Sequence, residues 1–272
     1  MNMKDTIQKE SSHPEGDKDN TPLIKAIRAG DIETVKKLIA IGMDVNAEET
    51  YGNTPLYIAI RESGNDKIVR LLTVNGADVN AEDCYGNSLL YSVMNDSYKN
   101  EDYKWVKFLV SNGADMNTRS KYGDTLLHLA AKGSDTEWVK HLISQGADVN
   151  ARAHNGETPL HYASDVECIK LLIANGADVN TKNENGETPL WLAVEYSNLD
   201  LVNTLVTNGA DVNAKIDNDI DNGILQKYDM IFSGKFVTLL DVIDGMNIEN
   251  YNEIRQLLIS KGAVRGNDPR TT

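Results

Sequence analysis

Three acidic residues alternate in the stretch "DNDIDNG", where Asp217, Asp219 and Asp221 are separated by single residues. Alternating carboxylates open the calcium-binding loop of an EF-hand. That loop also needs a glycine at its sixth position and a bidentate glutamate at its twelfth. Here Gly223 comes one position late, and Tyr228 stands at the twelfth position. We therefore interpret the stretch as a solvated acidic turn and predict no metal site.

The histidines and cysteines offer no other catalytic or metal-binding arrangement. The five histidines are dispersed along the chain, without metal-ligand spacing. Phosphate-binding glycine motifs, H-E-x-x-H and G-x-S-x-G are all missing. Cys84 and Cys168 are too few for a disulfide framework or a cysteine zinc site, and they suit a reducing cytosol. The sequence therefore predicts neither an enzyme nor a cofactor. An enzyme with its chemistry in the 214–237 segment is the alternative, but that segment lacks a nucleophile–base pair.

The charge of the chain limits the classes of partner. The 272 residues carry a formal net charge of −14. Such a chain is repelled by phosphate backbones and anionic lipid, so we expect no nucleic-acid or membrane-surface binding. No stretch approaches the ~20 apolar residues that span a bilayer, and the N-terminal residues lack the apolar region of a signal peptide. We expect a cytoplasmic protein.

Two phrases recur along the chain and define a repeating unit. "NGETPL" occupies residues 155–160 and again 185–190. "GADVN" or a near copy recurs at intervals of 30 to 37 residues. The copies begin at Gly42, Gly76, Gly113, Gly146, Gly176 and Gly209. Internal repeats with this period are typical of repeat architectures.

Each letter of the repeat has a physical role in a pair of helices. Thr caps a helix N-terminus, and Pro suits the first helical turn because its missing N–H would have no partner there. The Leu that follows points into the core, and a small residue three positions later allows close helix packing. The Gly of "NGAD" lies just beyond the second helix as a left-handed C-cap. The Gly before Thr suits a tight turn with positive φ.

This unit resembles the ankyrin repeat, most clearly in "GETPLHYA" at 156–163 and "GDTLLHLAA" at 123–131. The resemblance covers roughly residues 20–265. It implies an all-α ankyrin-repeat solenoid of about seven helix–turn–helix units with projecting hairpin-like loops. It also implies that the loops and first helices line a concave surface, and that His128 and His161 form hydrogen bonds between neighbouring loops.

The repeat divides the chain into a tail, an array and a second tail. We expect a disordered N-terminal tail at 1–19, the repeat domain at 20–265 with a long inserted loop at 214–237, and a C-terminal tail at 266–272. The third unit has four extra residues within "VMNDSYKNEDYKW", and the fifth is three residues short in "HYASDVECIKLL". We place both length changes in turns. Trp105 and Trp138 occupy equivalent positions in second helices, and their spacing predicts core residues.

A tyrosine precedes the loop glycine in three consecutive units, at Tyr51, Tyr85 and Tyr122. The resemblance places this position near the exposed end of the loop, on the recognition side. Tyr is a rigid amphipathic anchor at many interfaces, although packing against the neighbouring loop is an equal alternative. The loop charge also changes from acidic to basic along the array. The candidate partner-binding residues are therefore Tyr51, Tyr85, Tyr122, Glu48, Glu82, Arg119 and Arg152.

The resemblance implies a non-catalytic protein–protein interaction module, a scaffold or adaptor that binds a protein partner. We expect the partner on the concave and loop-side surface, and we expect a monomer. The alternative is a regulatory or inhibitory protein directed at one enzyme, including a bacterial effector that acts in a host cell.

Overall fold

The computed structural model describes residues 21–100, 103–217, 236–246 and 251–266. The predicted tail at 1–19, the tail at 266–272 apart from Gly266, and most of the insertion at 214–237 lie outside these residues. The acidic stretch considered above for calcium also lies outside them, apart from Asp217.

Helices form seven consecutive pairs in the described residues. The predicted all-α fold of helix–turn–helix units is confirmed. The first three pairs are α1 Pro22–Arg28 with α2 Ile32–Ala40, α3 Pro55–Ile58 with α4 Asp66–Val74, and α5 Leu89–Asn100 with α6 Lys104–Ser111. The next are α7 Leu126–Lys132 with α8 Thr136–Ser144, α9 Pro159–Tyr162 with α10 Val166–Ala174, α11 Pro189–Glu195 with α12 Leu199–Thr207, and α13 Leu239–Met246 with α14 Asn252–Ser260.

A short antiparallel ribbon precedes the last helix pair. Strand β1, Lys215–Asp217, pairs with β2, Phe236–Thr238, so that Lys215 lies opposite Thr238. The chain divides into two compact units, Met1–Lys121 and Tyr122–Thr272. Helices α1 to α6 belong to the first unit, and the ribbon and helices α7 to α14 to the second.

The first helix of each pair begins as the repeat predicts. The hydroxyl oxygen of Thr54 accepts a hydrogen bond from the backbone N–H of Tyr57 at 3.3 Å, and Thr188 does the same for Trp191. The glycines that follow the second helices have φ values of 87° to 92°, as left-handed C-caps require. The leucines predicted to face the core are all buried: Leu23, Leu56, Leu90, Leu127, Leu160, Leu190 and Leu240.

The length changes lie in the first helices, and our placement of them in turns was wrong. The third pair extends α5 to 12 residues, whereas α9 in the fifth pair has only four. After α9 the backbone of Ala163 is extended, with ψ of 119°, and Asp165 caps α10 at once. In the second pair, α3 continues as a π-helix, Ala59–Ser63. A helix absorbs extra residues while keeping its backbone groups hydrogen-bonded, which an open turn does not.

The prediction that both tryptophans of the second helices are core residues is confirmed for Trp138 but not for Trp105. Trp138 is buried in α8, with 7% exposure. Trp105 in α6 is only half-buried, so its assignment to the core was wrong. The Lys104 ammonium lies 4.5 Å from the centre of the Trp105 ring, and the Phe108 ring meets it edge-on. The spacing located the helix face correctly but could not show how much of that face is covered.

The asparagines that end five of the "GADVN" phrases, near copies included, each join one helix pair to the next. In the first unit, the Asn46 side-chain amide donates to the Gly76 carbonyl at 3.0 Å, and its oxygen accepts from the Asp78 N–H at 2.8 Å. Asn80 repeats this two-point bridge to Gly113 and Asp115. In the second unit, Asn150, Asn180 and Asn213 form the same bridge.

The bridge from Asn213 reaches across the inserted segment. Its amide donates to the Gly262 carbonyl at 3.1 Å, and its oxygen accepts from the Val264 N–H at 2.8 Å. The last helix pair therefore keeps the register of the array despite the insertion. These asparagines had no predicted role, although their recurrence at a fixed position of the repeat was a usable signal.

The glycines of neighbouring loops give a matched test of the loop contacts. Gly52 and Gly86 have similar φ values, +73° and +75°, so alanine adds similar backbone strain at both, about 1–2 kcal/mol. A Cβ atom at Gly52 would lie 2.7 Å from the Cys84 backbone nitrogen, whereas a Cβ atom at Gly86 meets nothing within 4 Å. We expect Gly52→Ala to lower the free energy of unfolding by about 1–3 kcal/mol more than Gly86→Ala, because the next loop must shift.

Urea denaturation of both variants measures this difference. Equal losses of stability would contradict the close approach of the two loops.

Candidate functional site

The loop tips of the first unit are built by the backbone. In the loop that carries Tyr85, the Asp83 N–H donates to the Asn87 carbonyl at 2.9 Å, and the Gly86 N–H donates to the Asp83 carbonyl at 2.9 Å. The loop that carries Tyr51 closes in the same way, between Glu49 and Asn53. Each loop is therefore a tight hairpin turn whose shape does not depend on the tyrosine side chain.

The two loops also contact each other through their backbones. The Cys84 N–H donates to the Tyr51 carbonyl at 3.0 Å. The two tyrosine side chains remain largely in solvent, each with 59% exposure. The Lys121 ammonium lies 4.6 Å from the centre of the Tyr85 ring. The structure thus places Tyr51 and Tyr85 on adjacent, hydrogen-bonded loops with most of each side chain exposed.

Three predicted charged residues lie in or beside the same loops. Glu48 and Glu82 are exposed, each three residues before a tyrosine. Arg119 is also exposed in the first unit. The loop side of this unit therefore offers two aromatic rings with charges of both signs.

The corresponding loops of the second unit repeat the backbone contact. Tyr122 is 62% exposed, and its carbonyl accepts from the His154 N–H at 2.8 Å. Arg152 is exposed, yet its guanidinium donates to the Lys182 carbonyl at 2.8 Å. Arg152 therefore fastens its own loop to the next one, a structural role that the charge pattern alone did not reveal.

The first helices of the first unit add a charged surface that sequence analysis missed. The Arg28 guanidinium donates to Glu62 at 2.6 Å and to Glu49 at 2.8 Å. The hydrogen bond to Glu62 is the main reason that the pKa of Arg28 lies above its ordinary value. Arg61 pairs with Asp96 at 2.6 Å, and its guanidinium lies 5.4 Å from the Tyr57 ring centre. Both arginines stand seven residues after a capping Thr, which was the available signal.

Helices α9 to α12 of the second unit enclose an apolar pocket. Its volume is about 120 Å³, and its lining includes Leu160, Tyr162, Leu192 and Tyr196. The Tyr162 hydroxyl donates to Asp124 at 2.8 Å. Burial, followed by this carboxylate, raises the pKa of Tyr162 well above its ordinary value, so the hydroxyl stays protonated. The pocket is too small for a drug-sized molecule and fits one side chain.

His128 and His161 join neighbouring loops, as the resemblance implies. The His161 Nδ1 atom accepts from the Thr158 N–H at 3.1 Å, and Nε2 lies 3.2 Å from the Glu187 carbonyl. His128 makes the same pair of contacts with Thr125 and Glu157. Their role in these contacts is structural.

No group of three His, Cys, Asp or Glu side chains among the described residues could hold a metal ion. No helix within the described ranges is long and apolar enough to cross a membrane.

Comparison with known families decides the classification. The family model for ankyrin repeats matches in three copies, at residues 3–83, 93–183 and 164–216. The chain belongs to the ankyrin-repeat family. Ankyrin repeats are protein–protein interaction modules and are generally non-catalytic, and the family match indicates no catalytic family.

Two solved structures resemble this ankyrin-repeat chain. A chain from the complex of predatory endopeptidase Bd0816 from Bdellovibrio bacteriovorus with immunity protein Bd3460 has a TM-score of 0.58 and 28% identity, covering 69% of this chain and 98% of that one. The ankyrin-repeat domain of Bcl-3, a member of the IkappaB protein family, has a TM-score of 0.58 and 29% identity, covering 72% and 90%. No curated protein matches the sequence significantly.

The ankyrin-type histidine His161 makes stability depend on pH. Burial lowers its pKa below the ordinary value, an effect that Arg152 and His128 reinforce and that the Glu187 carbonyl and Glu157 oppose. Since the folded pKa is below the unfolded one, its contribution is fully present above about pH 6.5 and is lost as the pH falls towards the folded pKa. We expect His161→Gln to be about 1–2 kcal/mol less stable than wild type at pH 7.5, with a smaller difference at pH 5.

Thermal melts of both proteins at the two pH values measure this difference. His141→Gln is the control, because His141 is exposed on α8. A stability difference for His161→Gln that does not change with pH would contradict the assignment.

Proposed function

We propose that the chain is a non-catalytic scaffold or adaptor whose protein partner docks on the loop side and first helices of the first compact unit. The observation that carries this proposal is the pair of exposed tyrosines, Tyr51 and Tyr85, on adjacent loops joined by a backbone hydrogen bond. We also propose that the chain acts as a cytoplasmic monomer.

The rigid backbone of the two loops supports this proposal. Binding is weakened by the entropy lost when flexible loops become ordered. Here each loop is closed by its own hydrogen bonds, and the Cys84 N–H fixes it to the neighbouring loop. The tyrosine rings are therefore presented in a defined arrangement before any partner arrives, and little ordering remains to be done.

The exposure of the rings supports recognition over packing. A tyrosine that served mainly to stiffen the neighbouring loop would place most of its ring against that loop. Tyr51 and Tyr85 instead keep 59% of their surface in solvent. Burying such rings against a partner removes apolar area from water, while the hydroxyl groups can still form hydrogen bonds.

The charges beside the rings favour one orientation of the bound partner along the surface. Glu48 and Glu82 favour a basic or neutral stretch of the partner, and Arg119 favours an acidic one. We propose Tyr122 and Arg152 as a further contact in the second unit. Because the Arg152 guanidinium also binds the Lys182 carbonyl, its loss would lower stability as well as affinity.

An inhibitory or regulatory role towards one enzyme is the second candidate. It is favoured by the similarity to a chain from the complex of an endopeptidase with an immunity protein. This role predicts one dominant partner with enzymatic activity that falls when the chain is added. A scaffold would leave the activity of its partners unchanged, so an activity assay of the captured partner separates the two roles.

The tyrosine proposal is tested by truncating the two rings. We expect Tyr51→Ala and Tyr85→Ala each to weaken binding of the captured partner by about 1–2 kcal/mol. The melting behaviour should stay within about 0.5 kcal/mol of wild type, because the side chains are exposed. Partner capture identifies the binding protein, and calorimetry with that purified protein measures the affinity.

Val74→Ala is the matched control, since Val74 is 80% exposed on α4 in the same unit. It should change neither affinity nor stability. Tyrosine variants that melt early but bind normally would refute the proposal in favour of packing.

A further inference from the structure

The second helices of the first unit carry a basic and aromatic groove on α4 and α6. It is a shallow, open groove of about 400 Å³. Its lining is Arg70 from α4, with Lys104, Trp105, Lys107, Phe108 and Ser111 from α6. Lys67 lies three residues before Arg70 and is exposed. We call the six lining residues the α4–α6 groove, and Lys67 is its neighbour on α4.

The basic residues of the groove break a charge pattern that three other second helices keep. In α2, α8 and α10, a glutamate pairs at 2.8 Å with a lysine three residues later: Glu33 with Lys36, Glu137 with Lys140, and Glu167 with Lys170. In α4 and α6 the glutamate position holds Lys67 and Lys104 instead, followed by Arg70 and Lys107. Two adjacent helices therefore each replace a neutral pair with two cations.

Contacts across the groove bring these cations together. Lys104 on α6 forms an ion pair with Asp66 at the start of α4. The hydrogen bond from Lys104 lowers the pKa of the Asp66 carboxyl and keeps it ionised, so its negative charge offsets the charge of Lys104. The Arg70 guanidinium of α4 lies 5.4 Å from the centre of the Phe108 ring of α6. Arg70 of α4 thus lines the same groove as Lys104 and Lys107 of α6.

The aromatic rings of the groove remain accessible. Trp105 and Phe108 are half-buried and meet edge to face, with ring centres 5.7 Å apart. The equivalent tryptophan in α8, Trp138, is buried. A half-buried Trp beside several cations can pack against an apolar side chain while the cations pair with carboxylates.

We propose that the α4–α6 groove binds an acidic segment of a protein partner that carries at least one apolar side chain. Three basic side chains line the groove, and Lys67 lies three residues before Arg70 on the same helix, on a chain with a net charge of −14. The surrounding negative field disfavours a long polyanion such as nucleic acid, whereas a short acidic peptide contacts only the groove. The surface is separate from the loop tips, so it is a second docking site and does not depend on the tyrosines.

The test uses a short fluorescein-labelled peptide of Glu, Asp and Leu, with a Lys-for-acid peptide and a single-stranded oligonucleotide as comparisons. Fluorescence anisotropy should show saturable binding of the acidic peptide alone, weakened by added salt. The variant Lys67→Glu/Lys107→Glu creates acid–base pairs within α4 and α6, so it should fold normally. We expect it to bind the acidic peptide about tenfold more weakly or worse.

The matched control is Lys140→Glu/Lys170→Glu, which changes the net charge equally on α8 and α10. It should keep the wild-type affinity within about threefold, a difference well below 1.4 kcal/mol. Equal weakening in the two variants would show a general charge effect and overturn the proposal. No saturable binding, or preferential binding of the oligonucleotide, would also overturn it.

Tryptophan fluorescence of the wild-type protein gives a second measurement of peptide binding, which does not depend on the folding of the charge variants. Trp105 is half-buried, whereas Trp138 and Trp191 are buried. An unlabelled acidic peptide should shift the emission of wild type, and Trp105→Phe should remove that shift. A shift that persists in Trp105→Phe would place the peptide elsewhere and refute the site.

Discussion

Within each compact unit, an asparagine side chain holds one helix pair in register with the next. A repeat protein has no single core, because each repeat buries its apolar face only against the neighbouring repeats. Apolar packing is non-directional, so packing alone would let neighbouring repeats slide or rotate against each other. The amide of Asn46 donates to Gly76 and accepts from Asp78, and this two-point contact permits one alignment. The Asn213 bridge to Gly262 and Val264 shows that the same contact tolerates a long insertion.

The loop tips depend on this register. The Cys84 N–H reaches the Tyr51 carbonyl only when the helix pairs beneath the two loops are aligned. The close approach at Gly52 follows from the same alignment, because a side chain there would meet the Cys84 nitrogen. The backbone therefore determines the shape of the tips, and the tyrosine side chains are not needed for it. Residues at these positions can differ between units, as Tyr85 and Asn155 do, without changing the fold.

The sequence predicted most of the scaffold and little of its surface. A threonine or serine before the first helix, a left-handed glycine after the second and a buried leucine recur in every repeat, so the repeat itself identifies them. Trp105 was misjudged because a repeat shows which positions are equivalent but not how much of each is covered by the neighbouring unit. The length changes of α5 and α9 were predicted to lie in turns. Helix extension depends on backbone hydrogen bonds, which any residue type can form, so the sequence pattern does not reveal it. The ion pairs of Arg28 link residues 21 and 34 positions apart, which only the folded chain brings together.

The charge of the second helices shows how such a scaffold acquires specificity. An exposed glutamate–lysine pair three residues apart stabilises a helix by only about 0.2–0.5 kcal/mol. Replacing the glutamate by lysine, as at Lys67, therefore changes the stability of the array very little. The same replacement changes the local charge by two units, and in two adjacent helices by four, which strongly affects the field that an approaching partner meets. Surface positions outside the asparagine bridges can thus follow the requirements of binding, while the bridges and the buried leucines maintain the fold.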